Sequence, residues 1–273
     1  MAIFGTFIIY PALRGFWISF QDSQDGVNFK YVGNTNYKTI MHDELVSTVA
    51  KNTATYVIFY VVISTLLALT LAIIVNEQKF LKGMYRAILF LPVMLSPVVV
   101  GLLWNQVLDR KVGPLNQLLE ALGGGNPGWL VEPKLGMIAV IFVGVWVHVG
   151  FYTIILLAGL QGIDRSVLEA ASMDGATRWQ TIRQIILPLL KPTALVVLIL
   201  STIHGFQSFD FIYTLTGGGP LGATTLIVQY IYDRAFGTPI QYGLGSAAGV
   251  ILFMIIFAFT AMNFLAGRKK EAV

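Results

Sequence analysis

Long apolar runs, each separated from the next by a polar segment, limit what this chain can fold into. A clear example is 53–75, TATYVIFYVVISTLLALTLAIIV, which contains no Lys, Arg, Asp or Glu. A helix needs about 20 consecutive apolar residues to cross the hydrocarbon core of a bilayer. Charged residues make up only 12% of the chain and hydrophobic residues 56%, whereas soluble domains contain about 25% charged residues. The sequence therefore predicts an all-α, polytopic membrane protein.

The apolar runs predict six transmembrane helices within a single domain over residues 1–273. Their expected positions are about 2–20, 53–75, 87–108, 136–160, 193–215 and 243–266. The chain begins inside the first run, so we expect the native protein to carry a preceding cytoplasmic segment. Pro92 and Pro97 are expected to break the hydrogen-bond ladder of the third helix, which neighbouring helices can compensate in a membrane.

Basic residues predict which side of the membrane each loop faces. The segments 76–86, 161–192 and the tail after 267 are short and rich in Lys and Arg, whereas the opposite loops are longer and hold fewer. Cytoplasmic loops accumulate Lys and Arg. We therefore predict that segment 161–192 and both termini lie in the cytoplasm, and the net charge of +4 requires no nucleic-acid partner.

Within that segment, Glu169 to Pro192 form a polar island, EAASMDGATRWQTIRQIILPLLKP, between two apolar runs. Ser166 with Glu169, and Thr177 with Gln180, have the spacing of capping boxes that mark helix starts. Gly175 lies between them, where helices commonly end in a left-handed residue. These signals predict a first helix at about 167–174 and a second that starts at about 178.

Two prolines follow. Pro188 and Pro192 disfavour a continued regular helix, so the second helix is expected to end at about 187. The result would be a compact helical hairpin on the membrane surface. From spacing alone, a docking element for a soluble partner and a connector that is merely well capped are equally good interpretations.

The spacing of this island resembles the EAA loop of binding-protein-dependent ABC importer permeases. The pattern is Glu-Ala-Ala, three residues, Gly, nine residues, Ile, one residue, Leu-Pro. Here it falls on Glu169, Ala170, Ala171, Gly175, Ile185, Leu187 and Pro188, and Asp174 adjoins its glycine. The resemblance implies the type I importer permease fold. It also implies that residues 161–192, the EAA loop, dock as coupling helices on a cytoplasmic ATPase subunit.

Other stretches resemble the carbohydrate-uptake members of this family. Gly33 to Tyr37 resembles the G-x-x-N-Y element outside the first span, and 209–225 resembles the end of the fifth span of MalF-type sugar permeases. The turn within that stretch consists of Gly217, Gly218, Gly219 and Pro220. No helix can run through it, and we expect an external solute-binding protein to dock there.

Each predicted span that flanks the EAA loop has one face made of polar or aromatic residues, together with one glycine in the fourth span. They are Gly144, His148 and Tyr152 in the fourth span, and His204, Gln207, Ser208 and Phe211 in the fifth. The resemblance implies that they line the substrate cavity. The alternative is that they form hydrogen bonds between helices, and two histidines do not make a metal site.

The sequence contains no G-x-x-x-x-G-K-[ST] motif, no recognisable nucleophile with a base, and no cysteine. Without a P-loop, the chain is expected to be non-catalytic, without a metal or cofactor of its own. The resemblance then implies a heterodimer with a second homologous permease, and two ATPase subunits that bind ATP and Mg²⁺.

Three hypotheses for function follow. The first is the permease of an ABC importer for a sugar, with glycerol phosphate or another polyol as the alternative solute. The second is an ion-coupled secondary transporter, which would need buried charges and inverted repeats. The third is a membrane scaffold, which would leave the polar faces and the EAA loop unexplained. The predicted fourth and fifth spans contain no Lys or Arg, which favours a neutral solute.

Overall fold

The computed structural model describes residues 2–78 and 82–268, and nearly all of its regular structure is helical. A two-stranded antiparallel hairpin, β1 (Gln21–Asp22) and β2 (Lys30–Tyr31), is the one sheet in these ranges. The first helical run, α1, covers 2–18. The helices that follow are α2 (Thr35–His42), α3 (Glu44–Glu77), α4 (Lys82–Met94), α5 (Pro97–Val107), α6 (Pro114–Ala121), α7 (Pro133–Gln161), α8 (Arg165–Met173), α9 (Arg178–Gln207), α10 (Asp210–Thr216), α11 (Ile227–Phe236) and α12 (Tyr242–Arg268).

Four helices in the described ranges are long and apolar enough to cross a membrane. They are α3, α7, α9 and the part of α12 over Tyr242–Leu265. The pair α4 and α5 makes a fifth candidate if it is one bent span. The residues predicted as the first span form α1, which a π-helical turn at Gly5–Ile9 interrupts just before Pro11. Because proline has no N–H to donate, a change of hydrogen-bond register at this point is expected.

The predicted break in the third span is confirmed. Pro92 lies inside α4, and the helix ends at Met94 before Pro97 starts α5. The residue before a proline is pushed away from helical backbone angles, which places the interruption at Leu95 and Ser96. Beyond the break, α5 is tied to α10, because the Asn105 side chain donates to the Leu215 carbonyl at 2.8 Å.

The chain divides into two compact units. The first comprises 1–56, 100–140 and 206–258, and its core packs Ile40, Val49, Tyr230 and Leu244 against Ala247 and Ala248. The G-x-x-N-Y element lies here. The buried Asn36 amide donates to the carbonyl oxygens of Ser19 and Gln21, at 2.9 and 2.8 Å. Asn36 therefore fixes the segment that connects α1 to β1.

The second unit comprises 57–99, 141–205 and 259–273. Its helices approach each other closely at glycines. A β-carbon on Gly150 of α7 would overlap the Leu89 carbonyl of α4. One on Gly159 would lie 2.6 Å from the Thr193 hydroxyl of α9. Small residues at such contacts allow helix backbones to pack tightly in a membrane, where van der Waals contact drives association.

Candidate functional site

The first helix of the EAA loop, α8, covers Arg165–Met173. It starts two residues before the predicted position because Asp164 is its N-cap, and the carboxylate accepts the Ser166 N–H at 2.9 Å. The prediction that Ser166 and Glu169 form the capping box is therefore wrong. Aspartate caps a helix as well as serine does, and Asp164 comes first. This backbone hydrogen bond from Ser166 holds the pKa of Asp164 below its usual range.

Gly175 ends α8 as predicted, with a φ of +76° in the left-handed region. The Ala176 N–H donates to the Ala171 carbonyl at 3.0 Å, and the Gly175 N–H donates to the Ser172 carbonyl at 3.2 Å. These two bonds form the Schellman motif, which satisfies carbonyls left free at a helix end. The turn is therefore fixed by backbone bonds that require a left-handed residue at 175.

The predicted capping box at Thr177 and Gln180 is confirmed at the start of α9. The Gln180 side-chain oxygen accepts the Thr177 N–H at 2.7 Å, and the Thr177 hydroxyl accepts the Gln180 N–H at 3.4 Å. Two backbone donors at the helix start are thus paired.

The second helix does not end near 187 as predicted. It continues to Gln207, so one helix carries part of the EAA loop and most of the predicted fifth span. A π-helical turn at Ile182–Ile186 precedes Pro188, and the Leu187 N–H donates to the Ile182 carbonyl. Pro188 falls at the second position of the regular helix that follows, where its missing N–H costs little. Pro192 is accommodated inside α9.

The two sides of the EAA hairpin differ in exposure. Glu169, Ala170, Asp174 and Gly175 are exposed, whereas Ala171 is buried. Ile185 and Leu187 are half-buried, and Pro188 is exposed. The motif residues therefore do not all face one way.

Two apolar side chains that sequence reasoning missed are also exposed on this hairpin. Met173 is 83% exposed and Trp179 is 66% exposed. Large exposed apolar groups next to charged ones are typical of a surface that another protein covers. Their signal in the sequence was an apolar residue on either side of the predicted turn.

Behind the hairpin lies a cleft of about 410 Å³, lined by residues of α3, α7, α8 and α9. At its edge, Arg178 of α9 forms an ion pair with Glu77 of α3. Both side chains are substantially exposed, and exposed ion pairs contribute about 0–1 kcal/mol. The pair therefore contributes little to the stability of the fold.

In the second unit, three of the predicted cavity residues come together with a tyrosine that was not predicted. The Tyr152 and Tyr60 hydroxyls lie 2.9 Å apart, and the Tyr152 hydroxyl lies 2.9 Å from Nδ1 of His204. The His148 and His204 rings are 5.1 Å apart, and His148 Nδ1 lies 3.1 Å from the Gly144 carbonyl oxygen. Tyr60 and Tyr152 are completely buried, whereas both histidines are partly accessible.

In the first unit, the Ser208 hydroxyl lies 3.1 Å from the Tyr56 hydroxyl. Ser208 and Phe211 are buried, and Gln207 is exposed. Tyr152 and Ser208 thus make the hydrogen bonds between helices that the alternative interpretation expects. The assignment of this set to a substrate cavity stays a prediction. In the described ranges, no group of three His, Cys, Asp or Glu side chains is placed to hold a metal ion.

Residues 46–270 match the family model described as the binding-protein-dependent transport system inner membrane component. The chain belongs to this family. The predicted all-α membrane fold of an importer permease is confirmed, whereas the count of six spans and the coupling role of the EAA helices stay predictions. This inner membrane component is a non-catalytic permease subunit of an ABC importer.

Relatives and a solved structure agree with this assignment. The permease is 35% identical over 267 residues to the trehalose/maltose transport system permease protein MalF of Thermococcus litoralis, with 97% of this chain and 90% of the relative covered. It is 31% identical over 267 residues to the sn-glycerol-3-phosphate transport system permease protein UgpA of Agrobacterium fabrum, with 97% and 90% covered. The crystal structure of a bacterial ABC transporter involved in the import of the acidic polysaccharide alginate matches with a TM-score of 0.87 and 26% identity, over 98% of this chain and 92% of that one.

The predicted docking turn of the permease is a closed and internally bonded loop. Gly217 ends α10 with a φ of +59°. The Gln229 amide donates to the Gly217 carbonyl at 2.9 Å, and the Thr224 hydroxyl donates to the Gly219 carbonyl at 2.7 Å. Gly218 is buried and Pro220 is half-buried. These hydrogen bonds therefore brace the base of the loop.

At that tip, Leu221 is 96% exposed and has a φ of +53°. A bulky residue rarely adopts a left-handed backbone, and such strain concentrates at functional sites. Sequence reasoning missed this residue, although an apolar side chain between Pro220 and Gly222, inside a turn sequence, was the available signal.

Proposed function

We propose that this permease carries a neutral saccharide, delivered by an external solute-binding protein, across the cell membrane of a prokaryote. The observation that carries the proposal is the chemistry of the interior side chains, supported by the likeness to a trehalose/maltose permease. The buried and half-buried polar side chains on α7 and α9 are hydroxyls, imidazoles and the Trp146 indole, and 136–160 and 193–215 contain no Lys or Arg. Hydroxyl and imidazole groups pair with sugar hydroxyls, whereas a phosphate or uronate would call for a cation.

The proposed mechanism is alternating access powered by partner subunits. Two ATPase subunits bind ATP and Mg²⁺ and close, and they move the EAA loops of this chain and of a second homologous permease. The spans then expose the polar groups to the outside, and the saccharide leaves its binding protein. ATP hydrolysis reverses the motion.

This mechanism assigns an orientation and roles. The EAA loop and both termini lie in the cytoplasm, in keeping with the basic residues of 161–192. Glu169 makes a charge-assisted contact with the ATPase, and Gly175 allows the ATPase backbone to approach closely. The loop 217–225 meets the binding protein outside.

A second candidate is import of glycerol phosphate, favoured by the likeness to UgpA. It would need a cation at the binding site. The interior groups named above supply none, so the second permease would have to contribute it. The neutral saccharide is therefore the better conclusion from this chain.

The experiment that tests the function is ATP hydrolysis by the full transporter in lipid nanodiscs, co-expressed from its neighbouring genes. The solute-binding protein is added with a panel of neutral sugars, polyols and glycerol phosphate. We expect one neutral saccharide to stimulate hydrolysis above the rate with unloaded binding protein. Stimulation by glycerol phosphate alone would overturn the choice of solute. The absence of a copurifying ATPase would overturn the mechanism.

The docking role of the loop makes a separate prediction. Leu221→Ser is expected to weaken capture of the loaded binding protein by about tenfold, because burying a leucine contributes about 1.5–3 kcal/mol. Surface plasmon resonance on the nanodisc-embedded transporter measures this affinity. Val27→Ser is the matched control, since Val27 is 79% exposed in another loop of the first unit. Equal affinities for wild type and Leu221→Ser would contradict the docking role.

A further inference from the structure

Four aromatic side chains of α10, α11 and the break before α10 form one contiguous cluster, which we name the aromatic ladder. Its members are Phe209, Tyr213, Tyr232 and Phe236. The Tyr232 ring lies 5.1 Å from Phe209, 5.5 Å from Tyr213 and 5.3 Å from Phe236, and Phe209 lies 5.3 Å from Tyr213. All four belong to the first unit.

The ladder presents its rings to the surroundings. Tyr213 is 42% exposed, Tyr232 is 39% exposed and Phe236 is 65% exposed. Aromatic rings bury a large apolar area when they are covered. A ligand that covers this set of partly exposed rings would therefore be stabilised by that burial.

Two exposed carboxylates are chain neighbours of ladder residues. Asp210 is exposed one residue after Phe209, and Asp233 is exposed one residue after Tyr232. The phenol groups of Tyr213 and Tyr232 place hydrogen-bond donors and acceptors at the edges of two rings, and the two neighbouring carboxylates add negative charge to this part of the chain. This combination suits a saccharide, because a pyranose ring has an apolar C–H face that stacks on an aromatic ring and hydroxyls at its rim.

The first ladder residue also lies among the predicted cavity residues along the chain. Phe209 follows Ser208 directly, and Phe211 lies two residues further along. At its other end, Phe236 lies at the last turn of α11. The ladder is thus adjacent along the chain to the predicted cavity residues of the first unit.

We propose that the aromatic ladder is a saccharide-binding platform that receives the sugar after the binding protein releases it and selects neutral over anionic saccharides. This proposal rests on the proposed function and adds a second sugar contact to it. Selectivity comes from Asp210 and Asp233, which repel a phosphate or carboxylate and accept hydrogen bonds from sugar hydroxyls.

The chemistry of the ladder differs from that of a lipid-facing surface in the same unit. Phe253 and Phe257 of α12 are also exposed and stacked, with ring centroids 6.3 Å apart. The neighbours 252–258, LFMIIFA, contain no hydroxyl or charged group. That pair suits lipid, whereas the ladder carries two phenols and two carboxylates. The pair therefore serves as a matched control.

The test is saturation-transfer difference NMR on the full transporter without its binding protein. The probes are maltotriose and trigalacturonate, which have the same number of rings, the first neutral and the second anionic. We expect transfer to the C–H protons of maltotriose and little to trigalacturonate. Tyr232→Leu and Tyr213→Leu should each reduce the maltotriose signal and weaken its apparent affinity by about fivefold to tenfold. Tyr232→Phe, which keeps the ring, should lose less.

The controls separate the competing explanations. Phe253→Leu is expected to leave the maltotriose signal unchanged, and Asp210→Asn with Asp233→Asn should raise the trigalacturonate signal. An unchanged maltotriose signal in both Tyr→Leu variants would overturn the platform. Loss of the second permease or of binding-protein capture in those variants would assign the ladder to a protein contact instead, and would also overturn it.

The NMR experiment and the ATP hydrolysis experiment can fail separately. If neutral sugars stimulate ATP hydrolysis in the wild type while the ladder variants bind maltotriose normally, only the platform fails. If no neutral sugar stimulates hydrolysis, the proposed function fails even where maltotriose binds the ladder.

Discussion

Gly175→Asp is expected to abolish the coupling of saccharide delivery to ATP hydrolysis while the permease still inserts and assembles. Aspartate tolerates the left-handed backbone better than most residues, so the hairpin should persist with a cost of about 1 kcal/mol. No heavy atom lies within 4 Å of a β-carbon at this position. The new carboxylate would therefore project from the EAA loop toward the docked ATPase instead of clashing within the chain.

Loss of a close contact at the centre of a protein interface typically costs about 2 kcal/mol or more of binding free energy. For the contact between the ATPase and the EAA loop, this corresponds to about 30-fold weaker docking. The measurement is ATP hydrolysis in nanodiscs with and without loaded binding protein, beside the yield of assembled transporter. Saccharide-stimulated hydrolysis at the wild-type rate by Gly175→Asp would contradict the coupling role.

Gly123→Asp is the matched control for that experiment. Gly123 has a φ of +78°, and no heavy atom lies within 4 Å of a β-carbon there. Both substitutions thus meet the same backbone strain and the same open space, but 123 lies in a different loop. Coupling should be lost in the Gly175 variant alone, and equal loss in both would attribute the effect to strain.

Gly150→Ala is expected to prevent formation of the folded permease. The added methyl would overlap the backbone carbonyl of Leu89, and backbone cannot rotate away as a side chain can. Overpacking a core by one group costs about 1–3 kcal/mol, and a clash with backbone lies at or above the upper end. The helices α7 and α4 would have to separate within the second unit.

The yield of monodisperse protein and its melting temperature in detergent measure this effect. Gly249→Ala in α12 is the control, since Gly249 is helical with no heavy atom within 4 Å of a β-carbon. We expect Gly249→Ala to behave as wild type. A Gly150→Ala permease with wild-type yield and melting temperature would contradict the close approach of α7 to the Leu89 carbonyl of α4.

The EAA hairpin illustrates how far local sequence signals reach. Gly175 and the Thr177–Gln180 box were predicted correctly because a left-handed residue and a reciprocal cap depend on neighbours within a few positions. The helix after the box was predicted to stop at the prolines and does not. A π-helical turn before Pro188 resets the hydrogen-bond register, which proline propensity alone does not reveal.

The sequence by itself determined that the chain is a membrane protein, where its long apolar runs lie, and that it carries an EAA loop. Each of these depends on composition or on spacing along the chain. The tertiary structure decided which distant groups meet: Tyr60 with Tyr152, Gly150 with Leu89, and the rings of α10 with those of α11. Helix packing in a membrane is set by small residues and close van der Waals fit. Such fit depends on both contacting helices, which are distant in the sequence, so the pattern of either stretch alone does not predict it.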